Sequence, residues 1–136
     1  MLIKKITLEN FRQFKGIQSV EFSEDNVKNI TIILGENGAG KTTFAQAFRW
    51  CLYGKTTFID SILLNKEISQ NLGPNKESFV RVSLQLIHNN IEYEITREQK
   101  YTTNATGGLN TPNSSELKIK YRNPQGNTKF VEQREV

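Results

Sequence analysis

The chain has one cysteine, one histidine and two aspartates among its 136 residues. A lone Cys51 excludes an internal disulfide. His88 borders a candidate turn with no Cys, Asp or second His near it, so it reads as a turn residue and not as a metal ligand or a base. Asp25 falls in a polar turn and Asp60 in a loop, so paired-aspartate chemistry has no obvious seat. No apolar run approaches the ~20 residues that a membrane helix needs. The opening "MLIKKITLENF" lacks the apolar core and small-residue cleavage site of a signal peptide. These absences point to a cytoplasmic domain with no membrane partner.

What is present starts with a mild excess of positive charge, 18 Lys and Arg against 14 Asp and Glu, net +4. That balance suits an anionic partner but equally an ordinary basic domain. Residues 2–9 and 16–22 read as a strand pair, and "ITIIL", 30–34, as a central strand buried on both faces. Residues 41–53 carry Phe44, Ala47, Phe48, Cys51 and Leu52 on one helical face, with Gly54 as the stop. A loop region with a short helical turn at "DSILL" follows. Residues 79–98 form the clearest hairpin, Val80, Val82, Leu84 and Leu86 alternating with polar residues on one arm and Asn89-Asn90 at the turn. The Gly/Asn/Thr-rich stretch 99–116 is expected to be a mobile loop. A strand at 117–122 and a last element from residue 128 close the chain.

The chemistry is concentrated in Gly35-Glu36-Asn37-Gly38-Ala39-Gly40-Lys41-Thr42, which fits G-x-x-x-x-G-K-[ST] in full, with an apolar run before it and a helix pattern after. Glycines let successive N–H groups turn toward one anion, and the helix N-terminus adds its positive end. Lys41 is then the ligand of the β- and γ-phosphates, Thr42 the Mg²⁺ ligand, and Thr43 a further donor near the α-phosphate. ATP and Mg²⁺ are the implied cofactors.

Three stretches, "IKKITLENFRQFKG", "GENGAGKTTFAQAFRWCLYG" and "VRVSLQLIHNNIEYEITRE", resemble the N-terminal half of an SMC/SbcC-like ATPase head, a group of DNA-repair and genome-defence ATPases with RecF, RecN and DndD as relatives. The resemblance runs from about residue 1 to 98 and rests on Asn10-Phe11-Arg12, the Asn37-Gly38 pair and Ile95-Thr96-Arg97. It implies an α/β P-loop NTPase N-terminal lobe: a mixed sheet around the phosphate-loop helix, with an antiparallel meander or hairpin layer. Residues 1–136 are then a single ATP-binding lobe of a longer protein. It implies that Arg12 lies beside the nucleotide and that a contact comes from the following loop, for which Gln70, Asn71 and Leu72 are the nearest segment. It implies a C-terminal lobe, a second head, DNA and a nuclease subunit as partners. The glutamine loop, signature motif and Asp-Glu pair of the family have no match here (Gln133 in "EQREV" is not convincing), so hydrolysis is expected to need the other lobe. The competing reading is the nucleotide-binding subunit of an ABC transporter; its opening lacks Asn10-Phe11-Arg12 in this form.

Other residues read as structural. Lys118, Lys120 and Arg122 share a strand face and are expected to pair with Glu92, Glu94 and Glu98, while Lys100, Lys129 and Arg134 are left over as candidate DNA contacts. Cys51 reads as core, and Trp50 and Tyr53 as flanks of the same helix face. Glu36 and Glu67 are weak candidates for a base.

Overall fold

The computed structural model describes residues 1–112, 114–123, 125 and 128–134, with only the backbone considered at 128 and 130–134. Alternation dictates most of it. In β1 (Leu2–Phe11) Ile6, Leu8 and Phe11 point inward while Thr7 and Glu9 face out. In β3 (Glu77–His88) Val80, Val82, Leu84 and Leu86 are buried and Arg81, Ser83 and Gln85 are not. β2 (Phe14–Glu21) pairs with β1, and β4 (Ile91–Thr103) returns from β3 through Asn89 and Asn90 at φ 50° and 61°. Two successive positive φ values are the twist-matched hairpin turn that Asn tolerates. β5 (Leu109–Asn110), β6 (Glu116–Arg122) and β7 (Thr128–Arg134) complete the sheet. The order is β2-β1-β3-β4-β6-β7, with β5 on β4, and every pair among the described residues is antiparallel.

Helix α1 (Lys41–Tyr53) lies across β1, β3 and β4. Ala47, Trp50 and Cys51 are its buried apolar contacts, and Trp50 meets Phe11 at 5.7 Å between ring centroids. Burying each large apolar side chain contributes roughly 1.5–3 kcal/mol, so this face fixes the helix on the sheet. Gly54, at φ 70°, ends the helix and donates its N–H to the Trp50 carbonyl at 2.8 Å. Phe58, Ile62, Leu63 and Leu64 pack beside α1 on the same face.

Four expectations change. The run 30–34 joins no strand; Ile32 and Leu34 are 75% and 88% exposed. A strand buried on both faces needs neighbours at both edges and layers above and below, and the inner face of the antiparallel sheet is already covered by α1 and 58–64. The parallel component of a mixed sheet is therefore not among the described pairs. Second, the short helix lies at α2 (Lys66–Asn71), just after "DSILL"; Asn65 caps it by accepting the Ile68 N–H at 3.2 Å. Third, part of the stretch 99–116 is strand: Gln99 to Thr103 continue β4 and Leu109–Asn110 pairs back onto it. Fourth, Lys100 is not left over; it lies 3.6 Å from Glu77. Lys129 stands opposite Tyr121, and the side chains of Gln133 and Arg134 lie outside the described residues. The stripe on β6 falls as expected for two of three residues: Arg122 stands opposite Glu92 and Lys120 opposite Glu94, but Lys118 faces Thr96.

Candidate functional site

The loop between the exposed run and α1 turns at Glu36–Ala39, where the Ala39 N–H donates to the Glu36 carbonyl at 3.1 Å. Gly38 and Gly40 hold φ values of 85° and 104°, which L side chains rarely adopt. Gly40 is constrained twice: a Cβ there would stand 2.8 Å from both the Gln13 amide nitrogen and the Phe14 ring. The β1–β2 turn thus abuts the end of the phosphate loop. The first N–H groups of α1 have no intrahelical acceptor, and neither a side-chain cap nor an acidic residue in the first turn covers them. Lys41 curls back so that its ammonium donates to the Gly35 carbonyl. Lys41 and Thr42 are exposed, as are Glu36 and Asn37, while Thr43 is buried against the sheet. Open helix N–H groups, a cradle shaped by glycine, an ammonium at its mouth and a hydroxyl beside it fit a polyphosphate with its cation: Lys41 would hold phosphate oxygens and Thr42 would contribute an oxygen to Mg²⁺. The cation, when bound, would neutralise charge on the phosphates.

Arg12 occupies a neighbouring wall. Its φ of 52° is left-handed, and three bonds latch the turn in place: Arg12 N–H to Leu63 carbonyl at 2.7 Å, Asn65 N–H to Asn10 carbonyl at 2.8 Å, and the Asn65 side-chain amide to Arg12 carbonyl at 2.7 Å. The guanidinium donates to the Ile62 carbonyl at 2.8 Å, lies 3.7 Å from the Asp60 carboxylate and stacks 4.3 Å over the Phe58 ring. Arg12, Gln13, Asp60, Asn65 and Gln70 line one cleft of about 540 Å³. The fold therefore brings Arg12 and Gln70 together, with Gln13 linking them to Gly40; Asn71 and Leu72 do not line this cleft. Asp60 and Gln13 were missed in the sequence, where neither stands in a recognisable motif. Only the contact of the turn with the loop after α1 places them here.

Of the remaining candidates, Glu67 pairs with Lys15 at 2.7 Å and His88 ends β3 at the turn. Cys51 is buried, and desolvation pushes its thiol up to about 12, so it stays protonated and donates to the Val82 and Ile95 carbonyls at 3.4 and 3.5 Å. No helix of the described residues is long and apolar enough to cross a membrane.

With this geometry in place, the comparisons with known proteins are decisive on family. The AAA domain family AAA_23 matches residues 5–135. The chain belongs to this family. It is 36% identical over 104 residues to the DNA replication and repair protein RecF of Clostridium kluyveri, an alignment covering 74% of this chain and 25% of that protein. It is 43% identical over 53 residues to the DNA double-strand break repair Rad50 ATPase of Methanococcus maripaludis, covering 39% of this chain and 5% of that one. A solved structure described for ATP-driven dimerization and DNA-stimulated activation of SMC ATPases covers the whole chain and 73% of its own length, with a TM-score of 0.53 at 16% identity; that likeness establishes the fold. The matched region spans a quarter or less of the length of these curated relatives. The resemblance to the N-terminal region of an SMC/RecF-like ATPase head thus holds in sequence and in fold.

Proposed function

We propose that this chain is the ATP–Mg²⁺-binding half of an SMC/RecF-like ATPase head, cytoplasmic, serving DNA repair or maintenance. The observation that carries the reading is the loop Gly35 to Thr42 at an uncapped helix N-terminus, beside a cleft that already gathers Arg12, Gln13 and Gln70. Lys41 neutralises the outer phosphates, Thr42 holds the metal, and Thr43 supports the loop from beneath. Arg12 leaves the Ile62 carbonyl to fork onto phosphate oxygens, or steadies the cleft from where it stands.

Hydrolysis, in this reading, waits for groups brought by a C-terminal lobe of the same protein and by a second head, because a nucleotide that is held is not yet a nucleotide with a positioned water. The exposed run 30–34 is where that lobe adds its strands, since the run has the composition of a doubly buried strand and no strand partner among the described residues. DNA and a nuclease subunit are partners of the whole assembly. A transporter subunit is not favoured, because the relatives include RecF and Rad50.

Calorimetric titration of ATP–Mg²⁺ into the chain and into Lys41→Ala tests the assignment. Binding in the first that weakens at least tenfold in the second is expected, as for loss of a charge-assisted hydrogen bond of about 1.5–3 kcal/mol. Equal affinities would overturn it.

A further inference from the structure

Arg97 is a charged side chain only 1% exposed, set beneath the far end of the phosphate-loop helix. The last four carbonyls of a helix have no intrahelical donor. In α1, Gly54 N–H takes the Trp50 carbonyl, and Arg97 Nε takes the next, Cys51, at 3.1 Å. Arg97 Nη1 donates to the Ser115 hydroxyl at 2.7 Å, and Ser115 is itself buried just ahead of β6. One planar group on β4 therefore ties the helix end to the segment leading into β6. Its positive charge lies at the negative pole of the same helix whose positive pole faces the phosphate loop.

Burying a guanidinium is an inefficient way to fill space; a well-packed apolar side chain often does so with equal or greater stability. What the fork adds is direction. It specifies where the α1 axis ends, and a helix rising about 1.5 Å per residue carries that position some 15 Å forward to Lys41. Gly40 at the other end lies against the Gln13 amide and the Phe14 ring. A slip at Cys51 would be carried along the helix toward the loop.

We propose that Arg97 is a positioning residue for the nucleotide site: it anchors the C-terminal end of α1 on β4 and the β6 approach, and so sets the geometry of the phosphate loop at the opposite end. The inference rests on the reading that this loop binds nucleotide. In Arg97→Lys the charge remains but the fork is lost, so either the Cys51 carbonyl or Ser115 is released. Ser115→Ala removes only the second anchor. Ile6→Val, in the same core but bonded to neither Arg97 nor Ser115, serves as the control for a general loss of packing.

The test measures ATP–Mg²⁺ affinity, thermal stability without nucleotide, and the amide resonances of Gly40 and Lys41 without nucleotide, in the full chain. Arg97→Lys is expected to weaken binding about five- to tenfold and to shift both resonances, and Ser115→Ala to do the same about two- to threefold. Ile6→Val should lower the melting temperature while leaving affinity and resonances in place. Wild-type affinity with unshifted resonances in a folded Arg97→Lys overturns the proposal, as does an equal loss of affinity in Ile6→Val. If Arg97→Lys does not fold, Ser115→Ala decides by the same criteria. Lys41→Ala is run alongside: unchanged binding there removes the nucleotide reading, while the loop resonances still judge Arg97 as an anchor.

Discussion

The β3–β4 hairpin and the segment 23–40 are about equally rich in patterned signal, yet they end in opposite states. The hairpin closes on itself: its backbone pairs in register from Glu77↔Thr102 to His88↔Ile91, and its inner side chains meet α1. Residues 24–39 of that segment stay exposed, held by local bonds such as those of the Asp25 carboxylate to the Val27 and Lys28 N–H groups, both 2.7 Å. One region contains both halves of its interactions. The other presents half of several: a strand without neighbours and helix N–H groups without a cap. The difference teaches that stability and function are placed on different stretches of this chain and meet only at Gly40 and the α1 face.

The largest effect should come from the self-sufficient region. Leu84 is fully buried, and Leu84→Ala is expected to cost roughly 2–5 kcal/mol in denaturant unfolding; a loss under about 1 kcal/mol would mean that the hairpin is not the core. Lys41→Ala comes next, with its loss confined to nucleotide affinity; a matching fall in melting temperature would blur the division, since Lys41 is exposed. Tyr101→Phe probes the seam. Its hydroxyl accepts the buried Leu63 N–H at 2.9 Å, so removal should cost about 1–3 kcal/mol and loosen the segment that latches Arg12. Hydrogen exchange at Leu63 is the readout, and unchanged protection would count against the latch.

Smaller effects belong to the exposed region. Ile32→Ser should alter the stability of this chain by no more than about 0.5 kcal/mol, since the side chain is mostly in solvent; a large loss would show that the run 30–34 is buried after all. The smallest is pH-dependent. Backbone N–H groups of Lys28 and Val27 hold the Asp25 carboxyl below its ordinary 3.8. A depressed carboxyl stabilises the turn above that value and ceases to do so as pH falls through the lower, folded one. Amide resonances of Val27 and Lys28 should therefore move only below about pH 4. Movement near neutral pH would refute this.

Much of the fold was legible because its cues are local. Val80 to Leu86 alternate, Asn89-Asn90 accept positive φ, and Phe44 to Leu52 repeat at helical spacing, so each element is written within a dozen residues. The phosphate loop was legible for the same reason: glycine, lysine and threonine stand in one short run. The rest was not, because its cues are distant. Gln13 and Asp60 become site-lining residues only when the β1–β2 turn docks on the segment after α1, and Arg97, legible only as a marker of the resemblance, meets the helix end only once α1 covers it. The run 30–34 misled for the converse reason. Its composition states what it is built to pair with, and pairing needs a partner.

By itself the sequence determined most of the strands, the α1 helix and the glycine-rich turn that leads into it at Lys41 and Thr42, because backbone preference and side-chain period act over short range. Tertiary structure alone decided that Arg12 and Gln70 share a cleft, that Gly40 is walled in by Gln13, and that Arg97 ends the helix whose other end carries the loop. These relations join residues far apart in the chain, and no local preference encodes them; only packing α1 onto the sheet brings them within bonding distance.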